Sequence, residues 1–162
     1  MPQSPNIPPR TIRVGTLSRL ASRNPWEIHD HVTGLVLMQA YETAYAAPPE
    51  GGSPKPLLLA EPLRAESDGL VLSAPVRPET LFSDGTPCTA AAVASALSRV
   101  RDLTARAEIR ARGERVEFKL RTPDPHFATQ LTQPFCAVAL GSKGSLVGTG
   151  PFLAPEPLDG ED

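Results

Sequence analysis

The spacing of apolar residues along the chain predicts short strands and helices separated by loops. Residues 11–16 alternate in polarity and include β-branched side chains, which is typical of a strand. Apolar positions between residues 32 and 45 recur at close to helical spacing and predict the first helix. Loops are predicted from 18 to about 30 and from 46 to 56, where turn-forming residues are concentrated.

The middle of the chain predicts strands followed by a capped helix. Apolar runs at 70–72 and 75–77 predict two short strands, with a turn before them at 67–69. Thr89 can cap a helix that continues to about residue 101. The apolar residues after this cap share one helical face: Val93, Leu97 and Val100.

The last third of the chain predicts a hairpin and then shorter elements. Residues 107–120 alternate on both sides of a turn at Arg112-Gly113. A short helix is predicted over 127–131, a buried strand over 136–140 and a glycine-rich segment over 141–155. Because strands and helices are interspersed, we predict an α/β or α+β fold with a mixed sheet.

Composition narrows the class of protein. A length of 162 residues corresponds to one domain or one lobe, and 19 prolines with 12 glycines indicate many loops. The 16 basic and 18 acidic side chains give a net charge of −2. The chain therefore lacks the positive field that binding to nucleic acid requires.

The N-terminal residues bear on localisation. Residues 1–10 carry four prolines and are expected to form an extended arm. They lack the charged and apolar regions of a signal peptide, and no run of about 18 apolar residues predicts a membrane span. As written, the chain is expected in the cytoplasm; if a leader was removed, it is expected in the periplasm or outside the cell.

Cys88 and Cys136 are the only cysteines. They can form one disulfide in a secreted protein, but each lies among small or apolar residues, as buried free thiols do. A thiol nucleophile would require Cys88 and His126 to meet an orienting group. The sequence contains no Ser-His-Asp signature and no paired carboxylates in an apolar setting, so we predict no enzymatic activity and no cofactor.

One run of residues carries a resemblance to a known family. Residues 82–87 read Phe-Ser-Asp-Gly-Thr-Pro and are followed by Thr89-Ala90 and a predicted helix. This run resembles family 5 of the bacterial extracellular solute-binding proteins, the peptide-, dipeptide- and nickel-binding components of ABC importers. Asp84 is expected to have a structural role there, accepting backbone hydrogen bonds in a turn that Gly85 permits.

Further motifs follow in the order of that family over almost the whole chain: Asn24-Pro25, Tyr41-Glu42, Leu59-Ala60-Glu61, Asp68-Gly69-Leu70 with Val76-Arg77, Val116 to Leu120 with Pro123 and Phe127, and Gly148-Thr149-Gly150-Pro151-Phe152. The last of these resembles the family's return strand. The resemblance implies a periplasmic-binding-protein-like fold of type II, incomplete, with one lobe only. The lobe is expected over 11–155, with a small subdomain at about 46–140 and a tail at 156–162.

Two departures from the family accompany the resemblance. Family members are much longer than this chain, so the second lobe that closes over the ligand is expected to be missing. Exposed sheet edge and apolar surface should remain, which predicts dimerisation or binding to a partner. The helix after Thr89 also begins Ala90-Ala91-Ala92, where the family usually has acidic residues.

The loop from Trp26 to His31 is the most polar candidate for a binding site. The resemblance places His29, Asp30 and His31 in the ligand cleft, where they can hold a peptide or similar solute. The alternative is a solvated loop that caps the next helix. Trp26 suits either a cleft aromatic or packing onto that helix. His29 and His31, with Glu27 nearby, also suggest a metal site, but two histidines without a third ligand are a weak signal, and we predict none.

The resemblance therefore implies non-catalytic binding of a peptide or similar small solute. Expected partners are the solute itself, an ABC permease, a second chain that completes the lobe, or a second copy of this chain. The alternative is a cytoplasmic interaction or regulatory module that has lost its transport function. A fragment without an independent role is the third reading.

Overall fold

A computed structural model describes residues 15–28, 30–66, 68–142 and 145–154. The helices within these ranges are α1 (His31–Leu37), α2 (Ala90–Leu97), α3 (Arg101–Arg106) and α4 (Phe127–Gln130), with a 3₁₀ turn at Pro134–Cys136. The strands are β1 (Tyr45–Ala46), β2 (Lys55–Pro56), β3 (Arg64–Glu66), β4 (Val71–Pro75), β5 (Ala107–Arg112), β6 (Arg115–Leu120), β7 (Leu140–Ser142) and β8 (Ser145–Val147). The predicted arm at 1–10 and tail at 156–162 lie outside the described residues.

A four-stranded antiparallel sheet in the order β3-β4-β6-β5 organises the middle of the chain. Side chains alternate between its two faces. One face is apolar and includes Leu72, Val116 and Phe118, which are buried in the core with residues of α2. The opposite face carries Ser73 and Glu117 opposite each other on β4 and β6. The interspersed helices and strands confirm the predicted α/β or α+β class. The predicted mixed sheet is not observed, because all pairings of the described strands are antiparallel.

The apolar residues form two clusters. The larger cluster extends from Ala44 to Val138 along the chain and contains the apolar face of the sheet, α2 and α4. Within it the rings of Phe118 and Phe127 meet edge to face with centroids 5.2 Å apart. The smaller cluster is formed by residues from the end of α1 and from the segment before β7: Leu37, Ala40, Tyr41, Ala137 and Ala139.

The helix predicted after Thr89 is present but shorter. Thr89 Oγ1 accepts a hydrogen bond from the Ala92 backbone N–H at 3.2 Å, as an N-cap does. Helix α2 ends at Leu97, and Val100 then adopts an extended conformation before α3 begins. All three predicted apolar positions, Val93, Leu97 and Val100, are buried. Neither glycine nor proline marks the break, so the sequence did not reveal α3.

The first predicted helix was placed correctly at its start but not at its end. Helix α1 stops at Leu37 rather than continuing to residue 45. The following residues extend and pair with another segment: the Glu42 carbonyl accepts from Val138 N–H at 2.8 Å, and Thr43 bridges Ala137. This extended segment buries Tyr41 and Tyr45, which are four residues apart. Because that is also the spacing of residues on one helical face, the sequence pattern predicted a helix here.

Several strand predictions need correction. The strands predicted at 70–72 and 75–77 are replaced by one strand, β4, which covers 71–75, and Val76 after it makes only an isolated β-bridge to Leu59. Residues 136–140 are buried but are not a continuous strand, because Pro134 begins a 3₁₀ turn and only Ala137 makes a β-bridge before β7. Of the strand predicted at 11–16, residues 11–14 lie outside the described residues, and 15 and 16 are in no strand.

Other predictions are confirmed. The hairpin at 107–120 is formed by β5 and β6, with Gly113 at a φ of 61° in the turn between them. The short helix at 127–131 is α4. The loop predicted from 18 to 30 contains no helix or strand over 18–28. The loop predicted from 46 to 56 is confirmed over 47–54, whereas Ala46 and Lys55–Pro56 at its ends belong to the paired strands β1 and β2.

The turn at 82–87 is a structural element, as expected. Asp84 Oδ1 accepts from Thr86 N–H at 2.9 Å, and Gly85 takes a φ of 85°. The hydrogen bond from the Thr86 backbone lowers the pKa of the Asp84 carboxyl below its ordinary value. Ser83 N–H donates to the Gly148 carbonyl at 2.9 Å, so this turn also holds the glycine-rich return segment.

The return segment packs closely against the end of α1, although no strand is assigned to 148–152. Gly150 N–H donates to the Ala40 carbonyl at 3.0 Å, and Phe152 N–H donates to the Gln39 carbonyl at 3.2 Å. A Cβ atom on Gly150 would lie 2.5 Å from the Gln39 carbonyl oxygen. Glycine is therefore required for this approach. Among the described residues, no helix has the length and apolar character to cross a membrane.

Candidate functional site

The loop that carries the candidate site is held by local hydrogen bonds. Ser22 Oγ accepts from Asn24 N–H at 3.1 Å, and Asn24 Oδ1 accepts from Trp26 N–H at 3.1 Å. The Asn24 carbonyl also accepts from Glu27 N–H at 3.0 Å. Short polar side chains followed by proline favour such turns. The Asn24-Pro25 motif therefore fixes where Trp26 emerges from the loop.

Trp26 anchors this loop to the body of the molecule. Its Nε1–H donates to the Ala137 carbonyl at 3.2 Å, and its partly buried ring packs against both apolar clusters. The Arg99 guanidinium lies 4.7 Å from the ring centroid, a distance at which cations attract aromatic faces. These contacts support the packing interpretation of Trp26.

Asp30 begins the helix that follows the loop. Its Oδ1 accepts from Thr33 N–H at 2.8 Å, and its carbonyl accepts from Gly34 N–H at 3.1 Å. Asp30 is thus the N-cap of α1, which agrees with the capping interpretation. The carboxylate is fixed in position by this bond.

The two histidines differ in what the structure describes. His31 is the first residue of α1, and its side chain is exposed. His29 lies outside the described residues. Of the candidate residues, Trp26, Asp30 and His31 are described, and the hydrogen bonds of Trp26 and Asp30 hold their segment in place.

Thr33 is a residue of this segment that the sequence did not reveal. Its side chain is fully buried, and Oγ1 accepts from the Ala21 backbone N–H at 3.0 Å. This bond ties the start of the loop to the first turn of α1. A threonine within an apolar helical pattern gives no sign of such a bond, because the partner lies 12 residues away.

A second polar site on the four-stranded sheet was also absent from the sequence predictions. Glu66, Ser73, Arg112, Arg115 and Glu117 line a hollow of about 240 Å³ on the polar face. Arg115 Nε donates to Ser73 Oγ, and its Nη2 donates to the Ser73 carbonyl, both at 3.2 Å. Arg115 on β6 is therefore held by neutral acceptors on the neighbouring strand β4.

Glu117 is the centre of this charged group. Its residue is only 1% exposed, and its carboxylate accepts from Arg110 Nε at 2.7 Å and from Arg112 Nη1 at 3.3 Å. The hydrogen bond from Arg110 is the main cause that lowers the pKa of Glu117 below its ordinary value, and burial opposes it. The covering groups are arginine side chains that are themselves more than half exposed.

The remaining candidate groups are the possible metal ligands and the two thiols. The described residues contain no group of three histidine, cysteine, aspartate or glutamate side chains arranged to hold a metal ion. His29, which belongs to the weak metal hypothesis, is outside them. Cys88 and Cys136 are buried and free, as expected. Burial raises the thiol pKa to about 11 for Cys88 and about 12 for Cys136, which is unfavourable for a nucleophile.

The chain is similar to known proteins in structure rather than in sequence. No protein-family model matches the chain, and no curated protein matches its sequence. Solved structures do match. An oligopeptide-binding protein of an ABC transporter from Borrelia burgdorferi is similar with a TM-score of 0.75 and 20% identity, over 87% of this chain and 36% of its own.

Two further structures show the same relationship. OppA of Listeria monocytogenes bound to peptide has a TM-score of 0.71 at 19% identity, over 82% of this chain and 33% of its own. A nickel ABC transporter protein from Bacillus halodurans has a TM-score of 0.67 at 25% identity, over 82% of this chain and 29% of its own.

These structures share a fold with the chain over most of its residues, and the chain spans about a third of their length. Their coverage agrees with the prediction of one incomplete lobe. The resemblance to family 5 solute-binding proteins, predicted from the motifs, is therefore confirmed at the level of the fold: the chain has the fold of one part of a solute-binding protein of the periplasmic-binding-protein type.

Proposed function

We propose that the chain is a solute-binding module that holds a peptide or similar small solute without chemical change. The observation that carries this proposal is the shared fold over more than four fifths of the chain with proteins such as peptide-bound OppA. Binding proteins of that fold are also described with nickel complexes and with agropinic acid. Because a fold alone does not specify a ligand, the proposed binding residues are argued from the side chains of this chain.

The proposed ligand contacts are His29, Asp30 and His31, with Trp26 as the anchor of their segment. Two hydrogen-bonded turns and the Trp26–Ala137 bond hold the segment in place. A site that is fixed before binding loses less conformational entropy when the ligand arrives. The exposed His31 imidazole and the Asp30 carboxylate supply hydrogen-bonding groups suited to a peptide backbone or amine.

A second part of the proposal concerns the side of the binding cleft that this chain does not supply. The chain spans about a third of the length of the matching structures. We propose that further contacts to the solute come from a second polypeptide and that an ABC permease receives it. The periplasm or the extracellular space is the compartment in which such a module would act.

The test is to identify solutes that co-elute with the protein. The purified chain is passed through size-exclusion chromatography with a pool of di- to pentapeptides, and retained peptides are identified by mass spectrometry. We expect retention by the wild type and loss of retention when His29 and His31 are both changed to alanine. His126→Ala is the matched control, because His126 is exposed and lies at the start of α4.

A substitution at Asp30 separates charge from helix capping. Asp30→Asn removes the negative charge but keeps an N-cap side chain of nearly equal quality. If Asp30 contacts a peptide amine, this variant loses affinity without losing stability. Failure of the wild type to retain any peptide, while a protein partner co-purifies at defined stoichiometry, would favour the alternative of an interaction module.

A further inference from the structure

One edge of the four-stranded sheet is open for pairing. Strand β5 is the outermost strand, and its six residues, Ala107–Arg112, are in continuous register with β6. The strand contains neither proline nor glycine and has no bulge. Within the described parts of the chain, residues 108–112 make backbone hydrogen bonds only to β6. Natural edge strands are blunted by proline, bulges, short length or charged side chains, and of these β5 carries the charged side chains.

The side chains of β5 differ between its two faces. Glu108, Arg110 and Arg112 point to the polar face and are exposed. Ile109 is partly buried against the larger apolar cluster and lies on the opposite face, with Ala107 and Ala111 on either side of it. The polar face of this edge therefore alternates in charge, and the other face is small and apolar.

Geometry limits how two copies of this strand can pair. Two identical antiparallel strands are related by a two-fold axis, and directly opposed residues must share a face. The axis must therefore pass beside one residue that faces its own copy. An axis at Glu108 opposes two carboxylates, and an axis at Arg110 opposes two guanidiniums. Both arrangements place like charges together at the centre.

The axis at Ile109 gives complementary pairs from Ala107 to Ala111, and only Arg112 falls opposite a residue outside the strand, Arg106 at the end of α3. Ile109 then faces Ile109 of the second copy, and Ala107 faces Ala111. Glu108 faces Arg110 on one side of the axis, and Arg110 faces Glu108 on the other. Opposed charges of unlike sign and opposed apolar residues both stabilise antiparallel strand pairs.

We propose that β5 is a self-pairing edge, through which two copies of this chain join their four-stranded sheets into one. The occupant of the edge is a second copy because the charge pattern of β5 is complementary to itself in one register. The Glu108 carboxylates meet arginines that already contact Glu117 of their own chain. The charges of the two copies thus form one alternating network across the polar face.

The first experiment measures the oligomeric state without any peptide. Analytical ultracentrifugation from micromolar to near-millimolar protein should show a reversible monomer–dimer equilibrium. Glu108→Arg places like charges opposite each other at both symmetric positions and should weaken dimerisation about tenfold. Glu50→Arg makes the same charge change in an exposed loop and should leave the equilibrium unchanged.

The second experiment tests which residues of β5 face each other in the dimer. In the proposed pairing, residue 109 faces its own copy, whereas residue 111 faces residue 107. Ile109→Cys should therefore form an intermolecular disulfide under mild oxidation, and Ala111→Cys should not. The native cysteines are buried, so they contribute little background. Circular dichroism establishes that both variants are folded before they are oxidised.

Each outcome bears on the proposal separately from the peptide-binding test. A wild type that stays monomeric at every concentration overturns it. Cross-linking of Ala111→Cys as fast as Ile109→Cys overturns the register and the self-complementarity argument with it. Dimerisation that is insensitive to Glu108→Arg places the contact elsewhere on the molecule and also overturns the proposal.

Discussion

At the scale of single residues, Glu117 shows how a buried charge is tolerated. Removing a carboxylate from water is costly unless opposite charges and hydrogen bonds replace the solvent. Arg110 and Arg112 supply both, and they reach Glu117 from the neighbouring strand β5. Breaking this arrangement from one side leaves guanidinium groups without their acceptor.

We expect Glu117→Gln to lower the free energy of unfolding at neutral pH by about 1–3 kcal/mol, because it removes the charge from two hydrogen bonds. Urea denaturation measures this change. Glu50→Gln, in an exposed loop, serves as the control and should change stability by much less. Equal stability of the wild type and the Gln variant would show that the arginines do not stabilise the fold through this carboxylate.

The pH dependence of stability follows from the same residue. The pKa of Glu117 is lower in the folded protein than its ordinary value, so its contribution is present above the ordinary glutamate pKa and is lost as the pH falls through the folded pKa. The wild type should therefore lose stability on acidification below pH 4.5, the ordinary pKa of this carboxyl group. Glu117→Gln should show a shallower loss over the same range. Parallel curves for the two proteins would contradict the assignment.

Gly148 illustrates a residue whose absence of a side chain is required. A Cβ atom there would overlap the Ala40 carbonyl oxygen and lie 2.6 Å from Tyr41 Cδ1. We expect Gly148→Ala to destabilise the fold by about 1–3 kcal/mol or more, as overpacking does. Gly15→Ala is the matched control, since nothing lies within 4 Å of its Cβ position. Thermal denaturation of both variants distinguishes overpacking from a general effect of replacing glycine.

At the scale of elements, the start of α2 offers two opposite changes. Thr89→Ala removes the hydrogen bond to Ala92 N–H and should cost about 1 kcal/mol. Ala91→Glu adds a negative charge in the exposed first turn, which contains no acidic residue, and should stabilise by about 0.3–1 kcal/mol. Chemical denaturation should therefore order the proteins as Ala91→Glu, wild type and Thr89→Ala. Any other order would mean that the cap and the helix dipole do not control this end.

Elements whose signals are local could be predicted from the sequence. The hairpin of β5 and β6 and the capped start of α2 depend on a turn glycine, alternation and a capping threonine, all of which lie within the element. The end of α1 could not be predicted, because the chain leaves the helix to pair with Ala137 and Val138, almost a hundred residues later. Long-range pairing of this kind overrides local apolar spacing.

The local structure of the candidate segment was predictable in part for the same reason, and its ligand contacts stay a prediction. The resemblance selected His29, Asp30 and His31, and the described part of this segment is fixed by Asn24 and capped by Asp30. The charged group around Glu117 was not predicted, because it depends on the register of three strands. No single strand shows in its sequence which charges will face each other.

At the scale of the whole molecule, the reactivity of the two buried thiols measures unfolding of the core. Cys88 and Cys136 both lie in the larger apolar cluster, and burial raises their pKa to about 11 and about 12. We expect both to resist N-ethylmaleimide in the native protein and to react together in denaturant. Mass spectrometry after timed labelling counts the modified thiols. Rapid modification of one thiol under native conditions would indicate local opening of its side of the core.

Trp26 also has an optical consequence for the molecule. It is the only tryptophan, and its indole ring contacts both apolar clusters. Intrinsic fluorescence excited at the indole band therefore arises from a single, defined position at the seam between them. The wavelength of maximum emission shifts when water reaches the indole ring, so opening of either cluster can be detected without an attached dye. The same signal lies four residues from Asp30 and five from His31 along the chain, so a titration with peptide can be followed by the light that the protein itself emits.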